Sequence, residues 1–343
     1  MESSRTLALP ASPAPNAPRS DTPLRVAVIG AGRWGRNLLR AFASAHHCEL
    51  LTACDLEPSL LSHLPPQVRR EQCAEAVLAD ERVDAVAIAT PPASHAALTL
   101  AALRAGKHVF VEKPMAMSLP DALAIRAMSS ATSRRVMVGL ILHHHTAVQA
   151  LERLVRTGAL GSIQHIEAER ASARGGCALH PVWWSLGPHD ISLAMSLACA
   201  RVDRIAASRI SDGDRESITA RFQTGDTTQV DLRASSRASG RRMTVHGSLG
   251  TAVFESERSE PLVLYERGGG AGHVIHCDRA PTEPLLAQVQ HFVGRVRDGG
   301  PFAIALDHAI DVVAVLEAGQ KSFQNGMEPV AVSQWRATAD RHY

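Results

Sequence analysis

A glycine pattern near the start of the chain places the strongest constraint on the fold. The run Leu24–Ile29 is apolar and rich in β-branched residues, and Gly30, Gly32 and Gly35 follow it in a G-x-G-x-x-G spacing. The next segment, Asn37–Phe42, has the apolar periodicity of an amphipathic helix. A strand, a glycine turn and a helix in this order form the dinucleotide-binding fingerprint, in which the helix N-terminus receives a pyrophosphate.

A carboxylate at the end of the next predicted strand completes that fingerprint. Asp55 closes the strand Leu50–Cys54, at the spacing expected for the acid that binds a ribose 2′-hydroxyl. The structural alternative is a turn or a helix cap, which are common roles for Asp at a strand end. Leu56 stands where a binder of a 2′-phosphate would often place Arg, so NAD is favoured over NADP. Within the glycine turn, Arg33 and Trp34 are further candidates for cofactor contact.

The composition argues against several other classes of function. The chain has 343 residues, enough for two domains, and its formal net charge of +2 gives no basis for binding nucleic acid or an anionic membrane. Aromatic residues make up 4%, too few for a base-stacking platform. No apolar run is long enough to span a bilayer. The six cysteines contain no C-x-x-C pair, so we predict a cytoplasmic protein.

Changes in sequence texture divide the chain into three parts. Residues 1–23 are rich in Ser, Pro and Ala and lack the features of a signal peptide, so we predict a disordered tail. Over residues 24–143 strand and helix patterns alternate, which predicts an α/β, doubly wound parallel sheet, the Rossmann domain. Over residues 144–343 strand patterns dominate. They predict an α+β domain with a mostly antiparallel open sheet, which self-association would cover.

Polar residues follow each of two predicted strands, at the edge where doubly wound sheets bind ligands. The candidates for cofactor contact are Thr90, Pro91, Pro92, His95, Glu112 and Lys113. Oxidation of a secondary alcohol releases a hydroxyl proton, and Lys113 is suited to take it because burial and a nicotinamide charge would lower its pKa. The alternatives are a surface role for Lys113 and a helix-start role for His95.

A second polar stretch, Trp183–Asp190, supplies His189 as another candidate for proton transfer, at the predicted start of a helix over residues 189–198. Trp184 is a candidate wall of the substrate pocket or a core residue. Arg170 is a candidate ligand for an anionic substrate group, with an exposed strand arginine as the alternative. The run His143–His145 cannot direct three consecutive side chains to one ion, so we predict no metal site and one residue bordering the cleft.

Together these motifs resemble the glucose–fructose oxidoreductase, inositol dehydrogenase and rhizopine catabolism (Gfo/Idh/MocA) family of oxidoreductases. The resemblance runs from about residue 24 to the C-terminus, and Glu112-Lys113-Pro114 is its most specific element. It implies a Rossmann domain, a substrate and oligomerisation domain over residues 144–343 whose open sheet often packs between subunits, and a nicotinamide cofactor. It commonly implies a sugar, cyclitol or sugar-nucleotide substrate. It also implies a cis bond before Pro114 and a proton relay formed by Lys113 and His189.

Ser185 departs from the family pattern, which commonly has Asp four residues before the histidine. Serine can form hydrogen bonds with substrate but has no charge to stabilise an imidazolium. Asp190 follows His189 directly, and a helix would direct it elsewhere, so we do not treat it as a replacement. Our leading hypothesis is an NAD(P)-dependent dehydrogenase or reductase of a sugar-like alcohol or ketone, acting as a homodimer or homotetramer. The alternatives are an NAD-binding regulator and an NAD-dependent glycosidase.

Overall fold

The computed structural model describes residues 22–171, 182–212, 215–224, 228–235, 240–256, 262–267, 272–275 and 283–335. The predicted tail, residues 1–23, lies outside this range except for its last two residues. Across these ranges the chain forms two β-sheets with helices packed on them. None of the helices described is long and apolar enough to cross a bilayer.

The first sheet has six parallel strands in the order β3-β2-β1-β4-β5-β6, which confirms the predicted doubly wound sheet. The strands are β1 (Leu24–Ile29), β2 (Cys48–Cys54), β3 (Arg69–Glu71), β4 (Ala85–Ile88), β5 (His108–Val111) and β6 (Val136–Val138). The connecting helices are α1 (Arg33–Ser44), α2 (Ala74–Ala79), α3 (His95–Arg104) and α4 (Leu119–Thr132). Short 3-10 helices cover Pro58–Leu61, Pro92–Ser94 and Ile141–His144.

Helix α1 lies close to β1, and this contact shapes the cofactor end of the sheet. Its residues Leu38, Leu39 and Phe42 recur at helical spacing and are buried, so one face of the helix joins the core. The close approach requires Gly35, because a Cβ there would lie 1.9 Å from the carbonyl oxygen of Gly30. Glycine is therefore needed at this position for the packing of helix on strand.

The second sheet has nine strands in the order β14-β13-β12-β11-β7-β10-β9-β8-β15. Adjacent strands are antiparallel except for the parallel pair β7 and β10, which confirms the mostly antiparallel sheet predicted. The strands are β7 (Ile163–Ala171), β8 (Val202–Asp212), β9 (Arg215–Thr224), β10 (Thr228–Ser235), β11 (Gly240–Gly247), β12 (Gly250–Glu255), β13 (Leu262–Glu266), β14 (His273–Val274) and β15 (Val330–Ala331). Helix α5 (Thr146–Arg156) precedes this sheet.

Helix α6 (Val182–Ala198) is longer than the sequence predicted. The expected helix start at His189 is wrong, because the helix continues through Pro188. An interior proline costs about 3 kcal/mol through a lost hydrogen bond and a clash with the preceding turn. Most side chains of α6 are buried between the nine-stranded sheet and α8 (Leu306–Gln324), and this burial outweighs the cost.

The last two long helices pack on the first sheet. Phe292 of α7 (Pro284–Asp298) makes edge contacts with Phe42 and Phe110, and it is fully buried. Ile310 and Val313 of α8 join the buried cluster on the other face of that sheet. The C-terminal segment thus contributes to both sheets' cores. The boundary between residues 143 and 144 stays a prediction.

Candidate cofactor and substrate site

A cleft of about 620 Å³ lies at the carboxyl ends of β1, β4 and β5 and is closed on its other side by α6, β7 and β11. It brings together candidates from both predicted regions: Arg33, Trp34, Thr90, His95, Glu112, Lys113, Arg170, Trp184, Ser185 and His189. Of the two prolines predicted at this edge, Pro92 lines the cleft and Pro91 is not among its lining residues. Sequence reasoning missed Asn37, Ile141, Leu186 and Arg241.

The glycine turn has the open space that a pyrophosphate needs. Gly30 has a φ of +97°, and a Cβ there would lie 2.7 Å from the backbone of Ala89. Gly32 caps the N-terminus of α1, and no heavy atom outside its own turn lies within 4 Å of the position a Cβ would take. Unpaired amides at this helix end and the free volume in front of Gly32 fit the phosphates of a dinucleotide.

Asp55 has the structural role that the sequence offered as one alternative, and its role in binding a ribose stays a prediction. Its Oδ2 accepts a hydrogen bond from the Ala31 amide at 2.6 Å, and its Oδ1 accepts one from the Glu57 amide at 3.0 Å. The carboxylate therefore braces the glycine turn against the end of β2. Leu56 beside it is 88% exposed and carries no charge for a 2′-phosphate.

The turn after β5 holds Lys113 through a cis bond and a buried histidine. The Lys113–Pro114 peptide bond is cis, as predicted. The two ring nitrogens of His95 lie 2.7 Å from the carbonyl oxygen of Pro114 and 2.8 Å from that of Thr90. His95 thus links the turns after β4 and β5, while burial lowers its pKa below the usual value. His95 therefore holds the two turns in position at the cleft. This contact is additional to its place at the start of α3, the alternative considered from the sequence.

Lys113 reaches across the cleft to α6. Its Nζ donates a hydrogen bond to the backbone carbonyl of Ser185 at 2.7 Å. Burial lowers the pKa of Lys113 to about 8; Glu112 opposes this shift, and Arg170 reinforces it. A substantial fraction of this amine is therefore neutral in mildly alkaline solution and able to accept a proton.

His189 is buried beside these groups, with 6% of its surface exposed. Its Nδ1 has no hydrogen-bond partner among the residues described. Burial first, and then the positive charges of Arg170 and Lys113, hold the pKa of His189 well below its usual value. The ring is therefore neutral, and its buried Nδ1 is not used in a hydrogen bond within the part of the fold described.

Glu112 lies below the turn and is buried. Its Oε2 accepts a 3.3 Å hydrogen bond from the Lys113 amide, and Gly139 leaves room for the carboxylate, since a Cβ there would lie 2.8 Å from Oε1. Burial raises the pKa of Glu112 to about 7, while the neighbouring Trp34 and the charge of Lys113 act in the opposite direction. The carboxyl therefore changes its charge near neutral pH.

Two arginines and one carboxylate form the wall of the cleft on the nine-stranded sheet. Asp190 is 4% exposed, and its two oxygens lie 3.7 Å from Arg170 and 3.7 Å from Arg241. Nη1 of Arg170 also donates to the backbone carbonyl of Leu186 at 3.0 Å. Asp190 thus lies in the charge network of the site. Its sequence position, directly after His189, did not indicate this role.

The histidine run after β6 lies outside the lining of the cleft. His143 is buried, with its ring nitrogens 2.8 Å from Glu152 and 2.9 Å from Ser192. His144 packs on His291, and His145 packs on Phe254. Because the three rings have separate surroundings, they do not form a metal cluster, and none of them lines the cleft.

A second, polar cavity of about 380 Å³ lies on the opposite face of the nine-stranded sheet. There His165, Glu167 and His246 bring potential metal-ligand atoms within 4.8 Å of one another. His165 also pairs with Asp231 at 3.0 Å. These residues alternate along their strands with the core side chains, so they are separated from Lys113 by the sheet.

Comparison with known proteins agrees with this architecture. Residues 24–140 match the oxidoreductase family described as having an NAD-binding Rossmann fold (GFO_IDH_MocA). A putative oxidoreductase of known structure from Magnetospirillum magnetotacticum MS-1 is 32% identical, with a TM-score of 0.79, and the match covers 87% of this chain and 99% of that one.

Two characterised relatives match over most of their length. Inositol 2-dehydrogenase of Rhizobium meliloti (strain 1021) is 23% identical over 87% of this chain and 96% of its own length. D-apiose dehydrogenase of Paraburkholderia graminis is 27% identical over 88% of both chains. The fold and the cleft define an oxidoreductase with an NAD-binding Rossmann domain. The chain belongs to the Gfo/Idh/MocA family, which confirms the resemblance, the enzyme class and the NAD cofactor predicted from the sequence.

Proposed function

We propose that this protein is an NAD-dependent dehydrogenase or reductase that interconverts a secondary alcohol and a ketone on a sugar or cyclitol. One observation carries the proposal. The amine of Lys113 and the imidazole of His189 line the same cleft as the residues that follow the glycine turn. A proton acceptor is thereby held next to the place where the fold binds a nicotinamide.

The chemistry divides between the cofactor and the chain. When bound, NAD supplies the acceptor or donor of the hydride. Lys113 takes the hydroxyl proton at Nζ during oxidation and returns it during reduction, with the Ser185 carbonyl fixing its direction. His189 is neutral and lines the cleft with Lys113, where it orients the substrate hydroxyl and relays the proton. The named relatives, which act on inositol and apiose, support a polyhydroxylated substrate.

The test has a binding arm and a turnover arm. Purified protein is titrated with NADH and NADPH by fluorescence, then assayed for NADH formation with a panel of sugars, cyclitols and sugar nucleotides. We expect NADH binding, and turnover that Lys113→Met lowers about 10²- to 10⁴-fold without a matching loss of NADH affinity. The control is Lys321→Met, which removes an exposed lysine paired with Glu317. Absence of any NAD(H) binding overturns the proposal.

The same assay separates the two other activities considered for this fold. Tight NADH binding without turnover of any member of the panel supports a regulator. Release of sugar from a glycoside, with no net formation of NADH, supports a glycosidase that oxidises and re-reduces its substrate.

We also propose a homodimer or homotetramer in the cytoplasm. Support comes from the nine-stranded sheet, where His165, Asp231 and Arg242 lie on the face opposite the core. An open sheet face of this kind is commonly covered by association. Cys48 and Cys54 are free, as expected in a reducing compartment. Light scattering of the purified protein tests the association.

A further inference from the structure

Two positive charges face each other on neighbouring strands of the cleft wall. Arg170 of β7 and Arg241 of β11 are direct cross-strand partners, so their side chains leave the sheet on the same face. Both side chains are mostly buried, at 17% and 15% exposure. Like charges directly opposite each other in a sheet destabilise it, and burial increases the cost. Such a pair requires a compensating anion.

Asp190 supplies only part of that compensation. Its contacts to Arg170 and Arg241 are 3.7 Å long, beyond hydrogen-bonding distance. Nε of Arg241 and Oδ1 of Asp190 have no hydrogen-bond partner among the residues described. Two guanidinium groups and one carboxylate leave a net charge of +1, and these groups adjoin Lys113, a further cation at neutral pH.

The arginines lie close to the reacting position. Arg170 donates to the carbonyl of Leu186, and Lys113 donates to the carbonyl of the preceding residue, Ser185. The two cationic groups are therefore anchored one residue apart on α6, where consecutive Cα atoms are about 3.8 Å apart. If the arginines bind an anionic group of the substrate, a hydroxyl a few carbon atoms from that group on the same molecule lies next to Lys113.

We propose that Arg170 and Arg241 bind a carboxylate of the substrate, so that the enzyme acts on a sugar acid. This inference rests on the proposed dehydrogenase function and names its substrate class. With Lys113 in the neutral form that accepts the hydroxyl proton, the two arginines and Asp190 leave a net charge of +1, which a carboxylate monoanion matches, and its two oxygens suit the planar donor set of a guanidinium. A phosphate dianion would exceed that charge.

The experiment compares acids with their neutral counterparts. D-gluconate is paired with sorbitol, and D-glucuronate with D-glucose, within a wider set of four- to six-carbon sugar acids; glucose 6-phosphate is the phosphate arm. Initial rates with NAD are measured together with the thermal shift of the protein–NADH complex. We expect at least one acid to be preferred over its neutral partner by tenfold or more in kcat/KM and to stabilise the complex.

Variants assign that preference to the arginines. Arg170→Gln and Arg241→Gln should each reduce it about 10- to 100-fold through KM, the range for a hydrogen bond to a charged group. The matched control is Arg242→Gln, the next residue on β11, which is directed to the opposite face and pairs with Glu255. Asp190→Asn should act in the opposite sense and tighten binding of the acid, because it raises the local charge by one. That variant tests the inference even where an arginine variant folds poorly.

NADH binding and substrate preference together distinguish failure of the carboxylate site from failure of the proposed dehydrogenase function. NADH binding with equal use of neutral and acidic substrates, or with no effect of any acid on rate or stability, overturns the carboxylate site and leaves the dehydrogenase standing. A preference for glucose 6-phosphate over every sugar acid overturns the choice of carboxylate. Failure to bind NADH overturns the dehydrogenase itself.

Discussion

The ammonium group of Lys113 donates its hydrogen bond to the backbone carbonyl of Ser185, with Nζ and O 2.7 Å apart. The hydroxyl of Ser185 is used elsewhere, donating to the Val182 carbonyl at 3.2 Å. Residue 185, where this chain departs from its family, therefore still binds Lys113. It does so through its backbone carbonyl, which every residue type has. The change from Asp to Ser removes a negative charge from the site without removing this contact.

Two substitutions at Ser185 should distinguish the effect of its backbone contact with Lys113 from the effect of a negative charge at this position. Ser185→Ala keeps the carbonyl, so we expect kcat/KM within about threefold of the parent. Ser185→Asp adds a negative charge near Lys113, which favours the ammonium form and raises the pKa of the lysine. The rising limb of the oxidation profile should move to higher pH in this variant only. Rate profiles between pH 6 and 10 make the measurement, and an unmoved limb would contradict the proximity of the two side chains.

The pH dependence of the parent enzyme should follow Lys113. Burial lowers the pKa of this group to about 8, and the neutral amine is the form that accepts a proton. The value of kcat/KM for alcohol oxidation should therefore rise about tenfold per pH unit below 8 and level off above 9. Ketone reduction requires the ammonium form and should fall over the same interval. A flat profile from pH 6 to 9 would exclude Lys113 as the titrating group.

Two glycines of the same turn should respond differently to alanine. At Gly32 a Cβ meets no neighbour within 4 Å, so Gly32→Ala should fold with an unchanged melting temperature while its methyl group obstructs the pyrophosphate. We expect the Kd for NADH to rise at least tenfold. At Gly35 a Cβ would lie 1.9 Å from the Gly30 carbonyl oxygen, so Gly35→Ala should destabilise the fold itself. Thermal unfolding and NADH titration of both variants provide the check, and loss of stability in Gly32→Ala would contradict this assignment.

The sequence predicted the part of the site that lies within one short segment, and missed parts that depend on contacts between distant segments. Gly30, Gly32 and Asp55 act within one strand–turn–helix–strand unit, and local patterns were sufficient to predict them. The site also depends on contacts between distant segments. The sequence does not predict Arg241 in the site, because only the register of β11 on β7 brings it opposite Arg170. It does not predict a role for Asp190 either, since that role depends on the same two arginines. Nothing local to either arginine indicates that pairing.

Helix α6 shows a second limit of local reasoning. The Gly187-Pro188 pair has the composition of a break, and the sequence predicted one there. In the fold, the side chains around the pair are buried against α8, and Gly187 leaves room for Leu316 and Trp183, which lie 3.3 and 3.4 Å from the position of a Cβ. Tertiary burial overrides a local preference worth about 3 kcal/mol.

Cofactor choice should depend on Asp55. Its carboxylate stands at the end of β2 and would repel a 2′-phosphate, whereas it can accept a hydrogen bond from a free ribose hydroxyl. Asp55→Asn removes the charge but keeps an acceptor for the Ala31 amide. We expect weaker NADH binding, tighter NADPH binding, and a ratio of the two Kd values shifted by at least tenfold. Unchanged selectivity would leave Asp55 with only its structural role.

Glu112 should make the stability of the cofactor-free protein depend on pH. Burial raises its pKa from an ordinary value of 4.5 to about 7, so the folded state retains this proton more strongly than the unfolded chain. The stabilising effect of the protonated form is present below pH 4.5 and is lost as the pH rises towards 7. Relative to Glu112→Gln, the parent should therefore lose on the order of 2 to 3 kcal/mol of unfolding free energy across that interval and little more above it. Urea unfolding at pH 4.5, 5.5, 6.5 and 8 measures the difference, with the exposed Glu328→Gln as control. A difference between parent and Glu112→Gln that stays constant with pH would show that Glu112 ionises normally and that its burial has no electrostatic consequence.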